Sequence, residues 1–182
     1  MSRRFPLTVA AVALATLVAV PVASAGTGGT DRPLRATMVG EARWELPSET
    51  RPDCGPIATF TEPTGEASHL GQITASWSHC PALPEYIGDG RLVIVAADGD
   101  ELHGTYDYDP FDTTNVIPVT FSGGTGRFDG ASGSVEAAYS TEPRITTNCT
   151  TDPFCFEVDD GVYLDFTVPW PWSASLTGTI SY

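Results

Sequence analysis

The chain has 182 residues, of which 23 are acidic and 9 basic, for a formal net charge of −14, and 41% of it is hydrophobic. That size supports one domain with a real core rather than two ordinary ones, and an acidic surface without a basic run argues against nucleic acid, whose phosphates it repels. The 18 Gly and 15 Pro point away from a helical bundle and toward short strands joined by turns, while apolar and aromatic residues spread along the chain argue against disorder.

Residues 1–25 read as a secretory signal peptide, with Arg3 and Arg4 at the start, an apolar stretch over 7–20 (LTVAAVALATLVAV) and the small-x-small pattern Ala23-Ser24-Ala25. The apolar stretch is short and small-residued for a membrane span, so an uncleaved anchor is the lesser alternative. The prediction is a secreted protein with no membrane attachment after cleavage. Cleavage removes two Arg and no acid, so the mature chain is more acidic still, and all its basic residues are Arg. Cationic ligands or metal ions fit such a chain better than anions, although the simplest role of the charge is to keep a secreted domain soluble.

Residues 26–33 (GTGGTDRP) read as a flexible start, and 34–182 as a single domain. Over 34–46, Met38, Ala42, Trp44 and Leu46 share one parity, and Thr37, Glu41, Arg43 and Glu45 the other; a period of two means a half-buried strand. After a turn-rich connection at 47–56 comes a short strand at 57–60, followed by Glu62-Pro63-Thr64-Gly65. Residues 67–79 (ASHLGQITASWSH) alternate as one strand. Strands at 91–97 and 101–108 flank the hairpin turn Asp98-Gly99-Asp100. The strand at 115–121 contains Pro118, which suggests an edge or a bulge. A glycine-rich stretch over 122–133 precedes a strand at 134–139. Residues 141–160 form a polar excursion, 162–168 a strand, Pro169-Trp170-Pro171-Trp172 a turn, and 174–182 a final strand. Eight or nine short strands and no convincing helix make the chain all-β with antiparallel neighbours. A closed barrel and a two-sheet β-sandwich both satisfy that pattern.

Cys54, Cys80, Cys149 and Cys155 all follow the signal segment, and an even count in an exported chain predicts two disulfides. Of the three connectivities, Cys54–Cys80 with Cys149–Cys155 is favoured. The spacings match no zinc template, so no metal site is expected there.

The run 116–133 (VIPVTFSGGTGRFDGASG), with the terminal LTGTISY at 176–182, resembles the glycine-rich core of the allene oxide cyclase and dirigent-like barrels. Those families carry a similar GGTG-x-F-x-x-A-x-G stretch between two late strands, here Gly123, Gly124, Thr125, Gly126, Phe128, Ala131 and Gly133. The resemblance is specific over about the last third of the chain; small secreted bacterial proteins of unassigned role look similar along most of the mature chain. It implies an eight-stranded antiparallel barrel, calycin-like, of a kind that often assembles into dimers or trimers, which makes a homo-oligomer an expectation. The residues agree physically: glycines at 123, 124, 126, 130 and 133 permit positive φ and close approach at a corner, and Phe128 would plug the barrel end or core. This motif is architectural, so it transmits fold and not activity, and no catalytic residue carries over.

A barrel of eight strands either holds one small ligand or is filled by side chains. Inward candidates are Trp44, Ile73, Trp77, Leu92, Ile94, Tyr106 and Tyr163, of which Trp44, Trp77, Tyr106 and Tyr163 are the candidate ligand-binding residues; the plainer alternative is a packed core. His69 and His79, placed on one strand, would lie about 33 Å apart and could not share an ion, leaving only a partnership of one of them with His103. Asp107, Asp109 and Asp112 are half of a calcium site at best. Asp98, Asp100 and Glu101, like Asp159 and Asp160, read as solvated turns. Glu41 or Glu45 with Tyr106 could form an acid–base pair, yet their parity puts the two acids outside. Trp170 and Trp172 could stack on a sugar or partner, or simply cover the barrel mouth. No cofactor is expected. Three functions fit: a secreted binder of a small apolar molecule, an isomerase or cyclase acting on a bound hydrophobic substrate, and a structural or interaction module of the extracellular space.

Overall fold

The computed structural model describes residues 29–45, 51–54, 58–80, 88–109, 113–142, 144–147, 155–165 and 168–182. Its strands are β1 (Asp31–Glu45), β2 (Ala58–Thr61), β3 (Thr64–Ala67), β4 (Gly71–His79), β5 (Gly88–Val95), β6 (Glu101–Tyr108), β7 (Val116–Gly124), β8 (Ser132–Thr141), β9 (Arg144–Thr146), β10 (Cys155–Asp159), β11 (Val162–Asp165) and β12 (Trp170–Ser181). Single turns of 3-10 helix occur at Pro52–Cys54 and Gly126–Phe128. No helix among the described residues is long and apolar enough to cross a membrane. The expected signal peptide lies outside the described residues.

The antiparallel ladders run β1–β12–β8–β7–β6–β5–β4, and β4 returns to β1 through both β2 and β3. β2 and β3 are two halves of one stave. Between them stands Pro63, which has no N–H to donate, although its carbonyl still accepts from Ala75 N at 2.9 Å. Eight staves therefore close into a barrel. The closing ladder runs from Asp31↔Ser181 to Ala42↔Trp170, which rules out the two-sheet sandwich: a sandwich keeps two sheets with separate edges.

Closure also corrects several local expectations. β1 begins at Asp31, inside the stretch expected to be flexible, because Ser181, Ile180 and Thr179 of β12 supply its first partners. Residues 67–79 are not one strand but two, turned at 68–70, with His69 at φ 66° and Gly71 at φ 74°. Thr64-Gly65 begins extended β3. Gly65 sits between β1 and β4, where a Cβ would overlap the Thr37 carbonyl; its role is close approach, not reversal. Pro169–Trp172 is not a turn: β12 starts at Trp170, and Trp-Pro-Trp is itself a period-two pattern with both rings inward. Pro118 is on no barrel edge, but the β6–β7 ladder stops at Val119, next to the missing donor, and its irregularity falls at His103/Gly104.

The predicted hairpin at Asp98-Gly99-Asp100 is present, with Gly99 at φ 91°. The corner at 122–133 turns as expected, with Gly123, Gly126, Gly130 and Gly133 at positive φ. Residues 162–165 form β11, which pairs with β9 and β10 in a separate three-stranded sheet, so Tyr163 does not line the barrel.

Inward parity fills the interior. Leu34, Met38, Leu92, Ile94, Leu102, Val119, Phe121, Leu176 and Ile180 are at most 2% exposed, and Ile73, Trp77 and Tyr106 are buried beside them. The Trp77 indole N–H is satisfied inside this core by Met38 Sδ at 3.2 Å. Cys54–Cys80 forms as predicted. Cys155 is also disulfide-bonded; Cys149, its expected partner, lies outside the described residues.

Candidate functional site

The strand directions divide the connections between two ends of the barrel. One end carries 68–70, 96–100 and 125–131; the other carries 46–57, 80–87, 109–115 and 142–169. Long connections are where recognition surfaces are usually built on a rigid scaffold.

Toward the long-connection end, an inward position at or near the end of five staves is aromatic: Trp44 on β1, His79 on β4, Tyr108 on β6, Tyr139 on β8 and Trp172 on β12. Each continues a buried parity: Ala42, Trp77, Tyr106, Ala137 and Ala174 are the inward residues one step deeper. All five are half-buried. The His79 ring stacks on Tyr108 with centroids 4.0 Å apart, and Tyr108 hydrogen-bonds Tyr139. Below them Trp77 packs on Tyr106 at 5.3 Å and on Trp172 at 5.4 Å. His79 Nδ1 and the Tyr106 hydroxyl share a hydrogen bond of 3.3 Å. Tyr106 needs Gly90 opposite it on β5, because a Cβ there would overlap the phenol ring.

The electrostatics keep this layer neutral. Desolvation, then the charge of Arg51, depress the His79 pKa to about 3. Burial pushes the Tyr106 phenol far above its ordinary value. Burial first, then Tyr139, lift Tyr108 to about 12. The imidazole and both phenols are uncharged across the ordinary pH range.

Arg51 anchors the 51–54 segment to the barrel wall. It is 1% exposed and donates to both carboxylate oxygens of Asp53 at 3.0 Å, to Asp89 Oδ2 at 3.0 Å, to the carbonyls of Ser78 and Asp89, and to Cys80 Sγ at 3.3 Å. Burial works to lower its pKa, but the hydrogen bonds and charges of Asp53 and Asp89 outweigh it and hold the guanidinium above its usual value. The Arg51 hydrogen bond in turn holds Asp53 down at about 2. A buried charge is tolerated only when paired and hydrogen-bonded in this way.

Of the residues singled out from sequence, Trp77 and Tyr106 come together and Trp44 joins the same end, while Tyr163 stands in the outer sheet. The histidines do not converge: His69 is in the 68–70 turn, and His103 pairs with Glu101 at 2.8 Å. No group of three His, Cys, Asp or Glu placed to hold a metal occurs among the described residues. Asp112 lies outside them. Glu41 is exposed and Glu45 pairs with Arg43 at 3.3 Å, away from Tyr106. Trp170 is no exposed platform: it is 4% exposed and donates to Thr141 Oγ1 at 2.7 Å. His79 and Tyr108 extend by two positions the inward parity of Trp77 and Tyr106, a signal the sequence carries; Tyr139 and Trp172 join them through strands on which the sequence marked no inward face. Arg51 had no such signal.

Two depressions, of about 500 and 380 Å³, lie on the outer wall and not in the barrel; Arg35, Thr37, Ser68, Ser175 and Thr177 line the first, and Val39, Ser140 and Ser173 the second. Compared with protein-family models, curated proteins and solved structures, the chain matches none.

Proposed function

We propose that this chain is a secreted, disulfide-closed barrel that binds a small apolar, ring-bearing molecule at its aromatic mouth without transforming it. The carrying observation is the layer of five half-buried rings, each from a different stave, at the end from which the long connections emerge. Half-buried flat rings bury large apolar area against a ligand at little conformational cost. The filled interior beneath them seats the ligand in the mouth and not in the depth of the barrel.

Binding is favoured over isomerase or cyclase chemistry by the state of His79 and Tyr106. A general acid or base works best with a pKa near the operating pH, and both groups are held far from it in opposite directions. Secretion rests on the apolar segment at 7–20 and on the disulfide. Kinship with the allene oxide cyclase and dirigent-like barrels rests on the 123–133 corner and belongs to the same proposal. A second reading, an interaction module, is favoured by the two outer depressions and by Val39, 65% exposed on that wall.

Titration of the mature protein with naphthol, followed by tryptophan fluorescence and native mass spectrometry, separates the two. Saturable one-to-one binding, weakened about tenfold or more by Trp172→Leu or Tyr108→Leu in variants that still melt cooperatively, supports the mouth site. Absence of saturable binding, or binding indifferent to both substitutions, rejects it.

A further inference from the structure

We infer that the mouth selects an organic cation, a substituted ammonium ion with apolar bulk, over a neutral molecule of the same shape. This rests on the mouth-binding reading and adds the charge of the ligand to it.

Trp and Tyr rings carry a negative π face that attracts cations. The mouth layer supplies four such rings, in Trp44, Tyr108, Tyr139 and Trp172. His79, the remaining ring, is uncharged and does not repel a cation.

The net surrounding charge acts in the same direction: Arg43 and Arg91 at this end are each paired with a carboxylate, Arg91 sharing Asp53 with Arg51. The chain contains no Lys. Arg51, whose charge reaches His79 and Tyr106, is matched by Asp53 and Asp89 at 3.0 Å each. Where β6 and β8 end, Asp107, Asp109 and Glu142 are exposed, and the Asp109 carboxylate already acts on the Tyr108 phenol. With a formal charge of −14, the whole protein concentrates cations near its surface at low ionic strength. A bare metal ion fits less well: hard cations require six to eight oxygen ligands, and the mouth offers mainly rings.

The test uses calorimetric titration of the mature protein with choline, with its uncharged carbon isostere 3,3-dimethylbutanol, and with naphthol. Choline should bind about tenfold or more tightly than the isostere. Raising salt from about 0.05 to about 0.5 M should weaken choline several-fold and leave the alcohol unchanged. Asp109→Asn, an exposed change outside the ring layer, should weaken choline alone. Choline binding no tighter than the alcohol, including the case in which neither binds, overturns the cation inference. The naphthol titration reports separately on the parent reading: naphthol bound with no preference for choline leaves the mouth site standing, and naphthol unbound removes it.

Discussion

The two ends of the barrel are built from the same inward alternation and finish differently. At the end with short connections, the 125–131 corner folds back so that Phe128, 0% exposed, plugs the interior and meets the Tyr182 ring edge-on at 4.8 Å. Arg127 covers the Phe128 ring at 4.7 Å and pairs with Asp98, while its N–H donates to Asp100 at 3.0 Å, so the acidic hairpin turn serves as a latch. At the other end five inward rows carry half-buried rings at or near their ends. Side-chain parity alone does not make a site; whether a connection folds a large apolar side chain back into the barrel end, as 125–131 does with Phe128, decides how that end is finished.

If that division is right, the largest stability loss belongs to the sealed end. Phe128→Ala should cost about 3 to 5 kcal/mol by chemical denaturation, from lost burial plus a cavity, while leaving naphthol affinity unchanged in the folded fraction. A loss under about 1 kcal/mol would mean that Phe128 is not a plug. The disulfide belongs to the mouth end. It spans 26 positions, and removing it by the double change Cys54→Ser and Cys80→Ser should cost about 3 kcal/mol. Hydrogen exchange should rise at Pro52–Cys54 and at the adjoining ends of β4 and β5, with the Phe128 end unaffected.

Acid should act first on the mouth as well. His79 titrates near 6.5 when unfolded and about 3 when folded. Between those values the unfolded chain binds a proton that the folded chain does not, so stability rises with pH, by up to about 1.4 kcal/mol per unit. Lowering pH from 6 to 4 should therefore destabilise the protein, and His79→Gln should flatten that slope. Asp53, held at about 2 against an unfolded value of 3.8, adds a loss of the same sign that sets in below about pH 5, so the upper part of the window, from pH 6 to about 5, separates His79 from it. A slope identical in the variant would refute the neutral, enclosed imidazole. The smallest effect belongs to the exposed latch. Asp98→Asn should cost no more than about 1 kcal/mol, since Asp98 and Arg127 side chains remain 47% and 33% exposed; thermal melts that show a much larger drop would give the latch a weight this geometry does not support.

Trp77 and Tyr106 could be paired from sequence because each sits within a clean alternation, and alternation is a property of a single strand. Phe128 was readable for a related reason: five nearby glycines announce a corner, and a lone large apolar residue within it has to be buried. Tyr163 misled because β11 alternates as any half-buried strand does, whichever sheet receives it. Arg51 was invisible: its partners Ser78, Cys80 and Asp89 come from the ends of two strands that are brought to it only when the barrel closes.

By itself, then, the order of residues settled that the described chain is β, which side of most strands faces inward and where one corner turns, and it favoured Cys54–Cys80 among three pairings. Each of these follows from local periodicity, from backbone freedom at glycine, or from the chemistry of paired thiols. Tertiary structure decided the rest: that β1 meets β12 and leaves no sheet edge, that β2 and β3 share a stave, and that rings from five separate staves reach one mouth. Those outcomes depend on register between strands far apart in the chain, and register is chosen by how the whole set of inward side chains fills a single closed interior.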